Sequence, residues 1–430
     1  MVFNPAQLRA LRQGRGWDIP DMARELRRAA GTASLPAHAS LVRMIRRWEA
    51  SETEMSERYQ LLFRKALADQ APAHSPVTGI ADNSIGPEVT DGGEHDVHRR
   101  AFLAASAALA GAAAMPPQVA CLTAGRRIGA DMPALLRQRL ARLRRLDNYL
   151  GGSQTYQLYA DELEATRTLA REATCTQPTR QALLTIIAEQ AQQAGWAAFD
   201  AGWQATATAH YNDSRHAARD SGERPLEANA LALLAYQALT TRQPAAALAQ
   251  ASCDAIGTAA PPRAIALLHE RRAWTLASSG TGNRNDVLQA LGTAADALAR
   301  DDVTSSPDWA AWADETEFQI ITGRCHTALG QPRQAIPLLQ KTLTSFDDAQ
   351  ARDKALYLTW LAEAHLNAGE PDHVAAIASQ CLTLSAGVGS VRPVQRLRAI
   401  VQRLIACSDT PQVTALREQA ASLIPATWPG

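Results

Sequence analysis

ALGQPRQAIPLLQKTL (residues 328–343) and NAGEPDHVAAIASQCL (residues 367–382) are two copies of one pattern. Gly330 aligns with Gly369, Pro332 with Pro371 and Leu343 with Leu382, each pair 39 residues apart. In both copies a glycine turn joins two stretches whose apolar residues fall at helical spacing. A fixed period of this size marks a stack of helical units, each covering its neighbour's apolar face.

Outward from these copies, further helix-to-helix turns fall at Gly202, Arg242-Gln243-Pro244 and Gly280, with a last one near Ser408 to Pro411. Seven residues before the turns stand Gly195, Ala235, Ala273, Gly323 and Ala362. Five residues after Gly202, Arg242 and Gly330 stand Ala207, Ala247 and Ala335. Small side chains at both places let the two helices of a pair cross closely. The pattern resembles the tetratricopeptide repeat, with five units and a sixth at the end across residues 151–430. The period is nearer 40 than the usual ~34, with longer loops at TGNRND (281–286) and DDVTSSPD (301–308).

That resemblance implies a right-handed superhelix whose inner surface is lined by the first helix of each pair and binds peptides. Its register places Trp196, Tyr236, Trp274, Arg324 and Glu363 at equivalent inner positions. One helical turn earlier come Gln192, Ala232, Glu270, Ile320 and Thr359. Aromatic area flanked by amides suits an extended peptide, and Asn229 is placed to pair with its backbone. The other reading is that the aromatics fill the core between repeats.

The front of the chain has a different organisation. PAQLRALRQGRGWD (5–18) reads as a first helix stopped by Gly14 and Gly16, IPDMARELRRAA (19–30) as a second, and Ser40 as the cap of LVRMIRRWEA (41–50). In the third helix Leu41, Ile45 and Trp48 share one face, and Arg43, Arg46 and Arg47 the other. The arrangement resembles the lambda-repressor-like helix-turn-helix of the XRE regulators over residues 5–68, through SERYQLLFRKAL (56–67), with Trp48-Glu49 where that family closes its third helix. Here the loop before helix three is longer, and Ser51-Glu52 replaces the usual turn glycine. The resemblance implies double-stranded DNA as partner and a homodimer reading two half-sites. Ser40, Arg43, Met44 and Arg47 are assigned to base edges, Arg46 and Arg24 to phosphates. An arginine-rich face that is merely solvated is the competing reading.

Charge is distributed accordingly. The chain of 430 residues has no formal net charge. Residues 1–70 carry 12 basic against 8 acidic groups, and residues 146–430 carry 22 against 29. A basic head on an acidic body confines nucleic-acid contact to the front. Residues 69–95, punctuated by proline and glycine, read as a flexible linker. Residues 96–150 then hold HRRAFLAASAALAGAAAM (98–115) and the basic helix ALLRQRLARLRRLDNYL (134–150). The twin arginine before an alanine run mimics an export signal, but a complete domain pattern precedes it, so it is read as a packed helix. Similar RR-x-F-L segments accompany regulators of the type named above. The basic helix is left open between DNA phosphates and packing on the acidic body.

Six scattered cysteines without CxxC spacing read as buried thiols in a reducing cytoplasm. Phosphate-loop, GxSxG, HExxH and EF-hand patterns are missing from the sequence, and no apolar run is long enough to span a membrane. The expectation is an all-α, cytoplasmic, non-enzymatic regulator without cofactor or metal, its repeats sensing a peptide or protein ligand. The alternative is a repeat scaffold for protein partners, targeted to DNA without a small ligand.

Overall fold

The structure, a computed structural model, describes residues 38–49 and positions 19, 22, 23, 26, 27, 59, 62 and 63 near the front of the chain. It also describes 127–423 except 149, 242–244, 258–259, 281, 302–305, 347–349 and 387. Every regular element among them is a helix, the one β-contact being an isolated bridge between Arg127 and Thr174. The chain divides into two compact units, Met1–Val89 and Thr90–Gly430.

In the first unit, helix α1 (His38–Glu49) buries Leu41, Ile45 and Trp48, whose spacing sets them on one face. They pack with Met22, Ala23, Leu26, Tyr59 and Phe63. The Trp48 ring lies 4.8 Å from Tyr59 and 6.4 Å from Phe63, centre to centre. The linker at 69–95 and the RRAFL segment lie outside the described residues.

Among the described residues, the first helices of the second unit are α2 (Met132–Arg144) and α3 (Gly152–Glu172). Six pairs follow: α4 (Gln177–Asp200) with α5 (Gln204–Ser221), α6 (Arg224–Thr240) with α7 (Ala245–Ile256), and α8 (Pro262–Ser279) with α9 (Arg284–Ala299). The last three are α10 (Glu315–Ala328) with α11 (Pro332–Leu343), α12 (Ala351–Ala368) with α13 (Pro371–Ser385), and α14 (Arg392–Cys407) with α15 (Pro411–Leu423). Consecutive helices pack on one another from α3 to α14, while α2 packs on α4 and α15 packs on α13.

The 39-residue repeat is visible in the backbone. Gly330 and Gly369 both take left-handed φ, +66° and +77°, which glycine adopts without a side-chain penalty. At one turn Gly330 N donates to Thr327 O and Gln331 N to His326 O; at the other Gly369 N donates to Leu366 O and Glu370 N to His365 O. These are the same closing bonds 39 residues apart, and they satisfy carbonyls at the helix end. The small residues at 195, 235, 273, 323 and 362 are buried, as are Ala207 and Ala335. Ala247 differs: it is exposed, and Ala245 and Ala249 fill the contact instead. The count of five from Arg242 misses the buried face of α7.

Helix α2 packs Leu136, Leu140 and Leu143 inward. Its Arg139 pairs with Glu162, Nε to Oε2 at 2.6 Å, and Arg144 with Glu189 at 3.1 Å and with Asp308. These two arginines are therefore engaged by the acidic body. Cys325 and Cys381 are buried, but Cys407 is exposed at the end of α14 rather than buried. Among the described residues no helix is long and apolar enough to cross a membrane.

The end of the array also returns to its beginning. The segment before α14 meets α3 and α4: Ser153 N donates to Gly389 O at 3.0 Å, and Val391 N to Asp200 O at 3.0 Å. Asp200, fully buried, accepts from Gly152 N at 2.9 Å and from Ser390 Oγ at 2.8 Å. A side chain at Gly152 would run into the Ala197 carbonyl, so α3 can approach α4 this closely only with glycine there.

Candidate functional site

The first helices of successive pairs bring one register position into a continuous strip. Trp196 on α4 lies 6.0 Å from Tyr236 on α6, ring to ring. Arg324 on α10 sets its guanidinium 4.2 Å from the Trp274 ring centre on α8 and donates to Tyr236 Oη at 2.9 Å. Glu363 on α12 accepts from Arg396 Nη2 at 2.5 Å and from Arg403 Nη1 at 3.3 Å. Five of the groove residues chosen by register are therefore gathered along one strip.

The three others, Gln192 and Glu270 one turn earlier and Asn229 two turns earlier, do not line it. Gln192 donates to Ser214 Oγ and to Leu226 O; Asn229 Nδ2 donates to Gln192 Oε1 at 2.6 Å, and Arg271 donates to Asn229 Oδ1 at 2.7 Å. With both ends of its amide engaged and its side chain buried, Asn229 does not serve as the backbone-pairing group expected of it. Glu270 is 1% exposed. Burial, and then the neighbouring Glu317 carboxylate, push its carboxyl up to about 8. The physical reason is the tight crossing: small residues beside this row let the adjoining helix cover it, converting a groove row into core.

Along the strip a cavity of about 380 Å³ opens. Of the residues named from sequence, Tyr236, Trp274 and Glu363 line it; Phe199, Trp360, Arg392 and Arg396 join them. The arginines of α14 stack on rings contributed by earlier pairs. Arg392 sits 4.8 Å from Trp196 and donates to Tyr236 Oη at 2.8 Å, while its Nη1 lies 3.5 Å from Asp200 Oδ1. Arg396 sits 4.3 Å from the Trp360 ring centre and donates to Thr359 Oγ1 at 3.0 Å. Arg324 lies 3.9 Å from the same ring. Guanidinium stacking of this kind is attractive by about 0.5–2 kcal/mol, more where water is excluded.

Charge crowding shifts the groups involved. Burial pushes the Tyr236 phenol up, but Arg324 and Arg392 more than offset it and leave it below the ordinary phenol value. Burial lowers the Arg396 guanidinium; Glu363 opposes that and Arg324 adds to it. Two buried N–H donors in this neighbourhood, Trp360 Nε1 and Arg324 Nε, have no hydrogen-bond partner among the described residues.

Register counting did not extend to α14, so Arg392 and Arg396 were missed. Counted back seven from the last turn, Ser408 to Pro411, the register reaches residues 401–404, which include Arg403, the residue that pairs with Glu363, but neither Arg392 nor Arg396. Phe199 and Trp360, each three residues from a predicted groove position, were within reach of the same count.

One cluster with metal-ligating side chains escaped notice: His365, Glu370 and His373, with ligand atoms within 4.8 Å of one another. His365 Nδ1 lies 2.6 Å from Glu370 Oε2. The preceding repeat makes the equivalent contact with uncharged Gln331, His326 Nδ1 to Oε1 at 2.8 Å. The shared element is thus a turn-closing hydrogen bond.

In the head, Arg47 is exposed, whereas Met44 is half-buried and packs against the Leu41–Ile45–Trp48 core, so it is core packing rather than the base-edge contact expected of it. Ser40, Arg43 and Arg46 lie on the α1 backbone, but their side chains, and Arg24 altogether, lie outside the described residues. The chain matches no protein-family model and no curated protein sequence.

Proposed function

We propose that the protein is a sequence-specific DNA-binding regulator, with an XRE-type helix-turn-helix head and a tetratricopeptide-like superhelix that binds a peptide or protein ligand. The observation that carries this reading is the division of α1 into a buried Leu41–Ile45–Trp48 face and an outer face bearing Arg47. An α-helix fits the major groove, and arginine pairs bidentately with guanine. The ligand half of the reading is supported by the strip of Trp196, Tyr236, Trp274, Arg324 and Glu363 on successive first helices. In this reading the chain acts as a cytoplasmic homodimer, and the ligand shifts the spacing of the two heads. A tenfold change in operator affinity needs only about 1.4 kcal/mol of preference for one arrangement.

Genome-wide DNA capture with the intact chain, repeated with residues 1–68 deleted, tests the reading. A small set of sites sharing one motif, lost on deletion, is the expected result. Diffuse or absent capture by both chains rejects it.

A second reading, a scaffold for a folded protein partner without a small ligand, is favoured by the burial of Gln192, Asn229 and Glu270. These side chains are taken up by the array itself. Pull-down of one folded partner by a chain that binds no small ligand distinguishes it.

A further inference from the structure

We infer that the cavity on the first helices takes an anionic group, a carboxylate or a phosphate, borne on a compact apolar body. This rests on the reading of that strip as a ligand site and names the chemistry it accepts. Size comes first: about 380 Å³ is near the lower end of ligand pockets, too small for a long peptide and enough for a small molecule or one end of a chain. The body is set by the walls, where Phe199, Tyr236, Trp274 and Trp360 present rings.

The charge is set by an imbalance of donors over acceptors. Arg392 and Arg396 line the cavity, and Arg324 lies over three of its rings, Tyr236, Trp274 and Trp360. The nearby carboxylates are already engaged. Glu363 holds Arg396 and Arg403. Asp200 holds Ser390, the Gly152 amide and Arg392. The Tyr236 oxygen already accepts from both Arg324 and Arg392. Trp360 lines the cavity and its Nε1 is a buried donor without an acceptor, as is Nε of Arg324, which stacks on that ring without lining the cavity. An unpaired buried donor is destabilising, so an incoming acceptor removes a penalty as well as adding a bond. A cationic ligand would meet the opposite situation, because guanidiniums already stack on Trp196, Trp274, Trp360 and Tyr236.

The test is titration of the intact chain, followed by calorimetry and tryptophan fluorescence, with probes of similar shape and different charge. Indole-3-acetate, benzoate and phenyl phosphate are the anions, indole-3-acetamide the neutral counterpart, and tryptamine the cation. Saturable binding of at least one anion, with indole-3-acetate bound about tenfold or more tighter than its amide, is expected. Arg396→Gln lowers anion affinity about tenfold and narrows the acid-to-amide ratio. Equal binding of acid and amide, preference for tryptamine, or no saturable binding of any anion up to about 1 mM overturns the inference. If Arg396→Gln fails to fold, the acid-to-amide comparison in the unaltered chain decides.

The source of the anion is separated by Gly-Gly-Trp with a free carboxylate and the same peptide amidated. Tighter binding of the free acid than of indole-3-acetate assigns the anion to a peptide end, and the reverse order to a free small molecule. DNA capture is read separately. A chain that binds anions and captures no DNA keeps this inference and loses the regulator; capture without anion binding does the converse.

Discussion

Arg392 donates a hydrogen bond to the Tyr236 hydroxyl at 2.8 Å, joining residues 156 apart in the chain. Arg324 donates to the same oxygen from another helix pair. One phenol oxygen thus ties α6, α10 and α14 together across the cavity, where a simple stack would connect neighbours only. Tyr236→Phe deletes the acceptor for both guanidiniums and keeps the ring. The expected loss is about 1–3 kcal/mol in chemical denaturation, the cost of leaving buried donors unpaired. An unchanged midpoint would show that water replaces the phenol without penalty.

Glu270 offers a prediction about pH. Its folded pKa, about 8, lies above the ordinary 4.5, raised first by burial and then by Glu317. Below pH 4.5 the group is protonated folded and unfolded, so its stabilising effect is fully present there. As the pH rises toward 8 the unfolded chain gains charge that the folded chain resists, and stability falls. Glu270→Gln removes that slope and raises stability at pH 8 by on the order of a few kcal/mol, with no gain at pH 4. Thermal unfolding at the two pH values measures it; parallel curves for both chains would place Glu270 in a hydrated site.

Close crossing of α10 and α11 depends on Gly323. A Cβ there would lie 2.6 Å from Leu339 Cδ2, and Leu339 is itself fully buried. Gly323→Ala therefore destabilises by about 1–3 kcal/mol through overpacking, despite alanine's better helix propensity. Pairing it with Leu339→Ala relieves the clash, so a double-mutant cycle reports a coupling of opposite sign to the single cost. Additive losses would mean the helices separate freely.

For the head, Arg47→Ala is expected to cost about 1–3 kcal/mol on specific DNA and much less on random duplex. Competition binding at fixed salt separates the two. Equal losses would make Arg47 a phosphate contact, consistent with its exposed position but without a part in reading sequence.

The helical class and the pairing of helices were legible because their signals are local. A glycine with φ of +66° or +77°, a proline shortly after it and small residues at fixed offsets all act within one or two turns of the chain. The same locality exposed Trp196, Tyr236, Trp274, Arg324 and Glu363, since a shared register needs only a count from each turn. The count failed at Ala247, where α7 buries Ala245 and Ala249 instead.

Depth was different. Gln192, Asn229 and Glu270 belong to the same helices as the strip, yet they do not line the cavity; burial alone does not separate them, since Arg324 and Trp274 of the strip are buried too, and what differs is which side chains the adjoining helix covers. One helical turn is about 5.4 Å, enough to separate groove from core.

By itself, then, the sequence determined an all-helical chain of paired units and an amphipathic α1 in front of them, since periodicity and turn chemistry are written in consecutive residues. Only the tertiary structure decided which polar side chains became interior and that Arg392 and Arg396 enter a cavity built from earlier repeats. It also decided that Asp200 fastens the segment before α14 to α3 and α4. The Ser390–Asp200 and Arg392–Tyr236 contacts join residues more than 150 positions apart, and no local pattern encodes a distance closed only when the intervening helix pairs curve back on themselves.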